Sequence, residues 1–217
     1  MIRVLVVDDH TIFREGIKKV LSVTSDVEVT DEAGDGRDAL AMMLDRSYDV
    51  VLLDLALPGM QGLDVLRAIK AGKPQLPVLV LSIYPEEQYA ARVLKEGASG
   101  YLTKESVPSD LVKAIRKASQ GGRYVSDSLA ERLADDLADG RRGPPHESLS
   151  SREYQVFQMI VAGKTVKEIA RDLSLSRTTI SSYRARIFVK LQTKTNADLV
   201  RYALEQNLIL QAARDHL

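Results

Sequence analysis

Two hydrophobic periods alternate along the first 120 residues. Short runs of strand type occupy Val4–Asp8, Val27–Ala33, Val50–Asp54, Val78–Ser82 and Gly100–Thr103. Three of them are continuous apolar stretches, as expected of parallel strands buried on both faces. Between the runs the period lengthens to that of a helix. Phe13, Ile17, Val20 and Leu21 share one face, as do Ala39, Leu40 and Met43, then Leu63, Leu66 and Ile69, then Ala90, Val93 and Leu94, and last Leu111, Ile115 and Ala118. Five βα units predict an α/β doubly wound sheet of five parallel strands with helices on both faces. The pattern then changes. Leu129, Leu133 and Leu137 mark a short amphipathic helix over Ser126–Asp139, and the breaker-rich GRRGPP that follows reads as a linker. From Leu149 onward only helical signals remain. Ser150-x-x-Glu153 and Thr165-x-x-Glu168 are capping boxes, Ser176 caps a third helix, and Thr195 or Asn196 starts a fourth. The expected organisation is therefore an α/β domain over 1–120, a linker with a short helix over 121–147, and an all-α four-helix domain over 148–217.

Composition narrows the chemistry. The chain has no cysteine, which excludes disulfides and thiolate metal sites, and its three histidines, His10, His146 and His216, show no metal-ligand spacing. No stretch approaches the ~18 apolar residues of a membrane span, and the start of the chain lacks a signal-peptide pattern, so a cytoplasmic protein is expected. Net charge is zero overall but unevenly spread: −3 over residues 1–120, −2 over 121–147 and +5 over 148–217. An acidic first part and a basic last part suggest domains with different partners.

In a doubly wound sheet, sites form at the carboxyl ends of the strands. There the sequence places Asp8 and Asp9, Asp54, Ser82 and Lys104. Three clustered carboxylates call for a cation, and hard oxygen ligands suit Mg²⁺. A carboxylate can also act as a nucleophile toward a phosphoryl group, with Mg²⁺ and Lys104 neutralising the transferred charge. His10 is read as a solvated loop residue.

These residues carry a resemblance. VVDD ending at Asp9, LLDLALPGMQG around Asp54, VLVLS ending at Ser82 and GASGYLTK ending at Lys104 resemble the flavodoxin-like receiver domain of bacterial two-component response regulators. The resemblance implies phosphorylation of Asp54 by a sensor histidine kinase. It also implies Mg²⁺ on Asp9, Asp54 and the Ala56 carbonyl, with Asp8 holding the metal through water. Lys104 would pair with the phosphoryl group, Ser82 would move to it, and Tyr101 would turn inward. The face of helix 4, strand 5 and helix 5 would respond. Receivers commonly carry Lys-Pro after strand 5. Here it is Lys104-Glu105, which leaves the geometry of that peptide open. Ala56 and Tyr84, each two residues past a site residue, lack groups to position an attacking water, so a phosphoryl lifetime of minutes or longer is expected.

In the basic region, helices over 166–173 and 177–191 joined by LSLS form a helix-turn-helix pattern. Ile180, Tyr183, Ile187 and Leu191 cover one face of the second helix. Thr178, Ser181, Ser182, Ala185, Arg186 and Val189 form an opposite face small enough for a major groove. Arg177, Arg184, Lys190 and Lys194 lie around it as phosphate contacts. The stretch from LSSREYQVF to NADLVRYAL resembles the LuxR-type helix-turn-helix, so the whole chain is similar to NarL/FixJ-type response regulators. The resemblance implies binding of double-stranded DNA and homodimerisation on activation. In the last helix, Leu199, Tyr202 and Ala203 lie opposite Ala197, Val200 and Leu204. They are a second apolar stripe, suited to a partner helix or to packing on the first domain of the same chain. A hydrolase of the DxD type is disfavoured because Ala56 replaces the second acid. A receiver acting only as a dimerisation module is disfavoured because the site residues are intact. A nucleotide binder lacks its Gly-rich cradle.

Overall fold

The computed structural model describes residues 1–138, 144–173, 175–206 and 208. Residues 140–143 of the expected linker, Ser174 of the expected turn and His216 lie outside them. The chain divides into two compact units, Met1–Arg132 and Leu133–Leu217.

The first unit alternates β1 (Ile2–Val7), α1 (Thr11–Leu21), β2 (Val27–Ala33), α2 (Gly36–Asp45), β3 (Val50–Asp54), α3 (Gly62–Gly72), β4 (Val78–Ser82), α4 (Glu86–Lys95), β5 (Gly100–Thr103) and α5 (Val107–Ser119). The strands form one parallel sheet in the order β2-β1-β3-β4-β5. Every residue of β3 and β4 is buried, which is why their sequences read as unbroken apolar runs. On one face Val4, Val6, Leu52, Leu79 and Leu81 pack with Ile17, Leu111 and Ile115. The unit runs past the boundary expected at 120. Tyr124 pairs with Gly100 at the free edge of β5, and Tyr124 and Leu129 are buried, so the residues leading into α6 (Asp127–Ala138) belong to this unit.

In the second unit a 3-10 turn over Pro145–Ser148 precedes α7 (Ser151–Val161), α8 (Val166–Asp172), α9 (Arg177–Leu191) and α10 (Asn196–Glu205). Both expected capping boxes are present, and Thr195 forms a third with Asp198. Ser176 caps α9 by accepting from the Thr179 amide at 3.0 Å. Its core contains Tyr154, Phe157, Ile160, Ile169, Ile180, Ile187, Leu191, Leu199 and Ala203. No helix among the described residues is long and apolar enough to cross a membrane.

Candidate functional site

Strand register builds the first site. Val7 stands opposite Leu53, so Asp8 follows β1 beside Asp54 at the end of β3. Asp54 stands opposite Leu81, which brings Ser82 alongside, and the Lys104 amide donates to the Ser82 carbonyl at 2.8 Å. Sheet order reverses between β1 and β3, and the pocket lies at that switch point. Gly62 lets the start of α3 close over the end of β3, since a Cβ there would lie 2.1 Å from the Asp54 carbonyl oxygen.

Asp8, Asp54 and Ser82 are fully buried or nearly so. Lys104 Nζ lies 2.7 Å from Asp8 Oδ2 and 2.7 Å from Asp54 Oδ2. The Ala56 amide donates to Asp54 Oδ1 at 3.0 Å. Burial works to lower the Lys104 ammonium, but its pairing with Asp54 and Asp8 outweighs burial and raises it above the ordinary lysine range. Its ammonium also sits 4.5 Å from the centre of the Phe13 ring, a contact the sequence pattern did not single out. Arg14, likewise overlooked, donates to the Asp8 carbonyl at 2.6 Å.

The acids can accept a divalent cation. Carboxylate oxygens of Asp8, Asp9 and Asp54 and Nδ1 of His10 lie within 4.8 Å of one another. Asp8 Oδ2 is buried, and beyond its ion pair with Lys104 it makes no hydrogen bond, so it retains lone-pair capacity toward the pocket. His10 is solvated as expected, at 63% side-chain exposure, yet its Nδ1 lies 2.9 Å from Asp9 Oδ1 and 3.2 Å from Asp8 Oδ1.

One switch expectation changes. The Tyr101 ring is already inside, 1% exposed, and its hydroxyl donates to the Tyr84 carbonyl at 2.7 Å. Burying the ring while giving the hydroxyl a partner explains that position. Ser82 Oγ accepts from the Tyr84 amide at 3.2 Å. The Lys104–Glu105 peptide is trans.

On α9, Ile180 and Ile187 are buried while Thr178, Ser181, Ser182, Ala185, Arg186 and Val189 are exposed on the other side, with Val189 at 78%. Arg177 and Lys194 are exposed. Arg184 is half-buried and lies 5.7 Å from the Phe188 ring. Lys190 departs from its expected role. Its Nζ donates to Glu153 Oε2 at 2.6 Å and to the Ser148 carbonyl at 3.0 Å, so it ties α9 to the start of α7 instead of standing free for a phosphate. Lys167 and Arg171 on α8 flank Arg177 around one concavity and add exposed cations that the reading of α9 alone missed.

The stripes of α10 are exchanged relative to expectation. Leu199 and Ala203 are fully buried, and the Tyr202 hydroxyl accepts from the His146 amide at 3.2 Å and lies 2.9 Å from His146 Nδ1. The Tyr202 ring also meets Phe157 edge-on. Leu199, Tyr202 and Ala203 are therefore the inward face and are not available to a partner helix. Ala197 and Leu204, the latter 60% exposed, point outward.

A parallel sheet with an acidic pocket at its switch point, joined to a basic helix-turn-helix, defines a signalling receiver coupled to a DNA-binding output. The family model for the response regulator receiver domain matches residues 4–116, and that for bacterial regulatory proteins of the luxR family matches residues 147–203. The response regulator UvrY of Escherichia coli is 36% identical over 209 residues, 96% of each chain. The response regulator GacA of Pseudomonas aeruginosa is 35% identical over 210 residues, 96% of this chain and 98% of its own. The RcsB response regulator of Salmonella typhimurium superposes with a TM-score of 0.73 at 27% identity, covering 96% and 98% of the two chains. RcsB bound to the promoter rprA in the presence of the phosphomimetic BeF3⁻ gives 0.69 at 28% identity, covering 93% and 98%. The chain belongs to the two-component response regulators of the NarL/FixJ type, and is a DNA-binding transcription regulator rather than an enzyme.

Proposed function

We propose that Asp54 is the phosphoacceptor through which a sensor histidine kinase controls this protein, and that phosphorylation promotes homodimerisation and promoter binding in the cytoplasm. The observation that carries this is the Asp8–Lys104–Asp54 arrangement at the sheet's switch point. An Asp54 carboxylate oxygen attacks phosphorus, the phosphorus–nitrogen bond of the donor phosphohistidine breaks, and the electron pair leaves with the imidazole. Lys104, already seated between the acids, follows the transferred charge, and Ser82 supplies a hydroxyl donor from the neighbouring strand. Tyr101, held inside, keeps its hydroxyl bonded to the Tyr84 carbonyl in the loop that Ser82 draws in. Asp9, Asp54 and the Ala56 carbonyl, with Asp8 through a water, would hold Mg²⁺, which when bound would neutralise charge on the phosphoryl oxygens.

In the second unit, α9 enters the major groove with Thr178, Ser181, Ser182, Ala185, Arg186 and Val189, and Arg177, Lys194, Lys167 and Arg171 hold the backbone. Dimers form through the outward face of α10, Ala197 and Leu204. The test is incubation with Mg²⁺ and acetyl phosphate, followed by intact mass and DNA binding, beside Asp54→Asn. The expected result is one added phosphoryl group, absent in the variant, with tighter DNA binding. No mass gain where a control receiver is labelled would overturn the assignment.

A further inference from the structure

The segment between α5 and α6 is built into the edge of the sheet next to the switch residues. The Tyr124 amide donates to the Ser99 carbonyl at 2.7 Å, and Tyr124 bridges to Gly100 as a short parallel extension of β5. The fit is close: a Cβ on Gly100 would lie 2.6 Å from the Tyr124 carbonyl oxygen. The Tyr124 side chain joins the core cluster of Leu79, Leu102 and Leu111. Two residues on, Ser126 caps α6 by accepting from the Leu129 amide at 3.1 Å, while its hydroxyl donates to Glu86 at the start of α4. Glu86 follows Tyr84 by two residues, and Tyr84 is held by Ser82 at its amide and by Tyr101 at its carbonyl. Hydrogen bonds at Tyr84 and at Glu86, joined by the backbone through Pro85, thus connect Ser82 beside Asp54 to the residue that caps α6.

We propose that residues 122–129 form a strap that reads the position of the β4–α4 loop through the Ser126–Glu86 contact and passes it to the start of α6. The inference rests on the reading of Asp54 as phosphoacceptor. A phosphoryl group at Asp54 draws Ser82 toward it. Tyr84 follows because it is bonded to Ser82, Glu86 withdraws from Ser126, and the first turn of α6 and the Tyr124 bridge loosen. The Ser126–Glu86 contact must then have a made and a broken state, and hydrogen exchange tests for the second. The output is order at the start of the helix that leads out of the first unit, with no demand on any particular arrangement of the two units.

Hydrogen exchange of the full chain tests this, with beryllium fluoride and Mg²⁺ as the probe and fluorine NMR reporting whether it has loaded. Loading is expected to speed exchange at the Tyr124, Leu129 and Ala130 amides by at least about tenfold. Glu86→Ala keeps Ser126 as the cap of α6 but cuts the contact to the loop. In that variant the strap amides should respond less than about twofold while the Ser82–Tyr84 amides respond as in the parent protein. Loading without acceleration of the strap, or a Glu86→Ala strap that responds like the parent, overturns the proposal and leaves Asp54's role standing. Failure to load beryllium fluoride overturns both.

Discussion

Lys104→Ala removes the only cation that touches both buried acids among the described contacts. Lys104 Nζ is 2.7 Å from each of Asp8 Oδ2 and Asp54 Oδ2, and the side chains of both acids are 1% exposed. At an effective dielectric of about 20, two like charges about 5 Å apart repel by about 3 kcal/mol. Breaking a buried ion pair by deleting one partner costs about 3–5 kcal/mol in other proteins. The two figures describe the same loss and set the expected destabilisation at about 3 kcal/mol or more for the first unit at neutral pH in EDTA. Two corollaries follow from the same contacts. Adding Asp54→Asn to Lys104→Ala should recover at least half of the loss, because one of the repelling charges is gone. Millimolar Mg²⁺ should stabilise Lys104→Ala more than the parent, because the cation no longer competes with an ammonium for the acids. Urea unfolding read by hydrogen exchange at the β1 and β3 amides isolates this unit. A Lys104→Ala protein within about 0.5 kcal/mol of the parent in EDTA, or one that Asp54→Asn fails to rescue, would refute the reasoning.

Four further expectations can be checked separately. Leu204→Asp should leave the fold within about 0.5 kcal/mol of the parent while weakening dimerisation of activated protein, whereas Leu199→Asp, at a fully buried position, should unfold the second unit; sedimentation and thermal melts separate the two. Burial raises the Glu153 carboxyl, but Lys190 and the Ser150 amide and hydroxyl outweigh it and hold the group below the ordinary glutamate range. A lowered folded value contributes stability at pH above the ordinary glutamate value of 4.5 that is lost as pH falls through the folded value. Glu153→Gln should therefore cost about 1–3 kcal/mol at pH 7 and flatten the acid limb of the stability curve of the second unit; an unchanged acid limb would contradict it. Arg186→Ala should cost about 1–3 kcal/mol on a preferred site and relax specificity there, while Arg177→Ala should weaken all sequences alike and reduce the salt slope by about one, both read by titration at several salt concentrations. The aspartyl phosphate should persist for minutes or longer in purified protein, because Ala56, two residues past Asp54, has no polar side chain to position an attacking water; a half-life of seconds by intact mass would contradict this.

The receiver site was legible because burial leaves parallel strands no choice of register. β2, β3, β4 and β5 run between the residues their apolar patterns mark, and once Val7 is opposite Leu53 the meeting of Asp8 with Asp54 is fixed. The groups that the pattern missed sit on the half-exposed side of α1: Phe13 under the Lys104 ammonium and Arg14 against the Asp8 carbonyl. One apolar and one charged residue at the start of an amphipathic helix carry no local sign that they face a pocket. The strap was hidden for a similar reason. Residues 121–147 read as a linker, and nothing near Tyr124 in sequence announces that its partner is Gly100, across the whole of α5.

The second unit shows where helical periodicity stops deciding. On α10 both stripes hold three apolar residues, so the count is tied and the choice belongs to partners far away in sequence. Tyr202 breaks the tie. Its hydroxyl finds His146, 56 residues earlier, and its ring meets Phe157, an arrangement that turns Leu199 and Ala203 inward and leaves Leu204 outside. Lys190 follows the same logic. A lysine beside a recognition face reads as a phosphate ligand until Glu153, 37 residues earlier, is brought against it by the packing of α7 on α9. The capping box that makes Glu153 readable as a helix start also buries it, and a buried carboxylate recruits the nearest cation. Among the described residues Lys167 on α8 and Arg177 and Arg186 on α9 are exposed and make no ion pair to a buried acid, which is why they, and not Lys190, belong to the cations proposed for DNA.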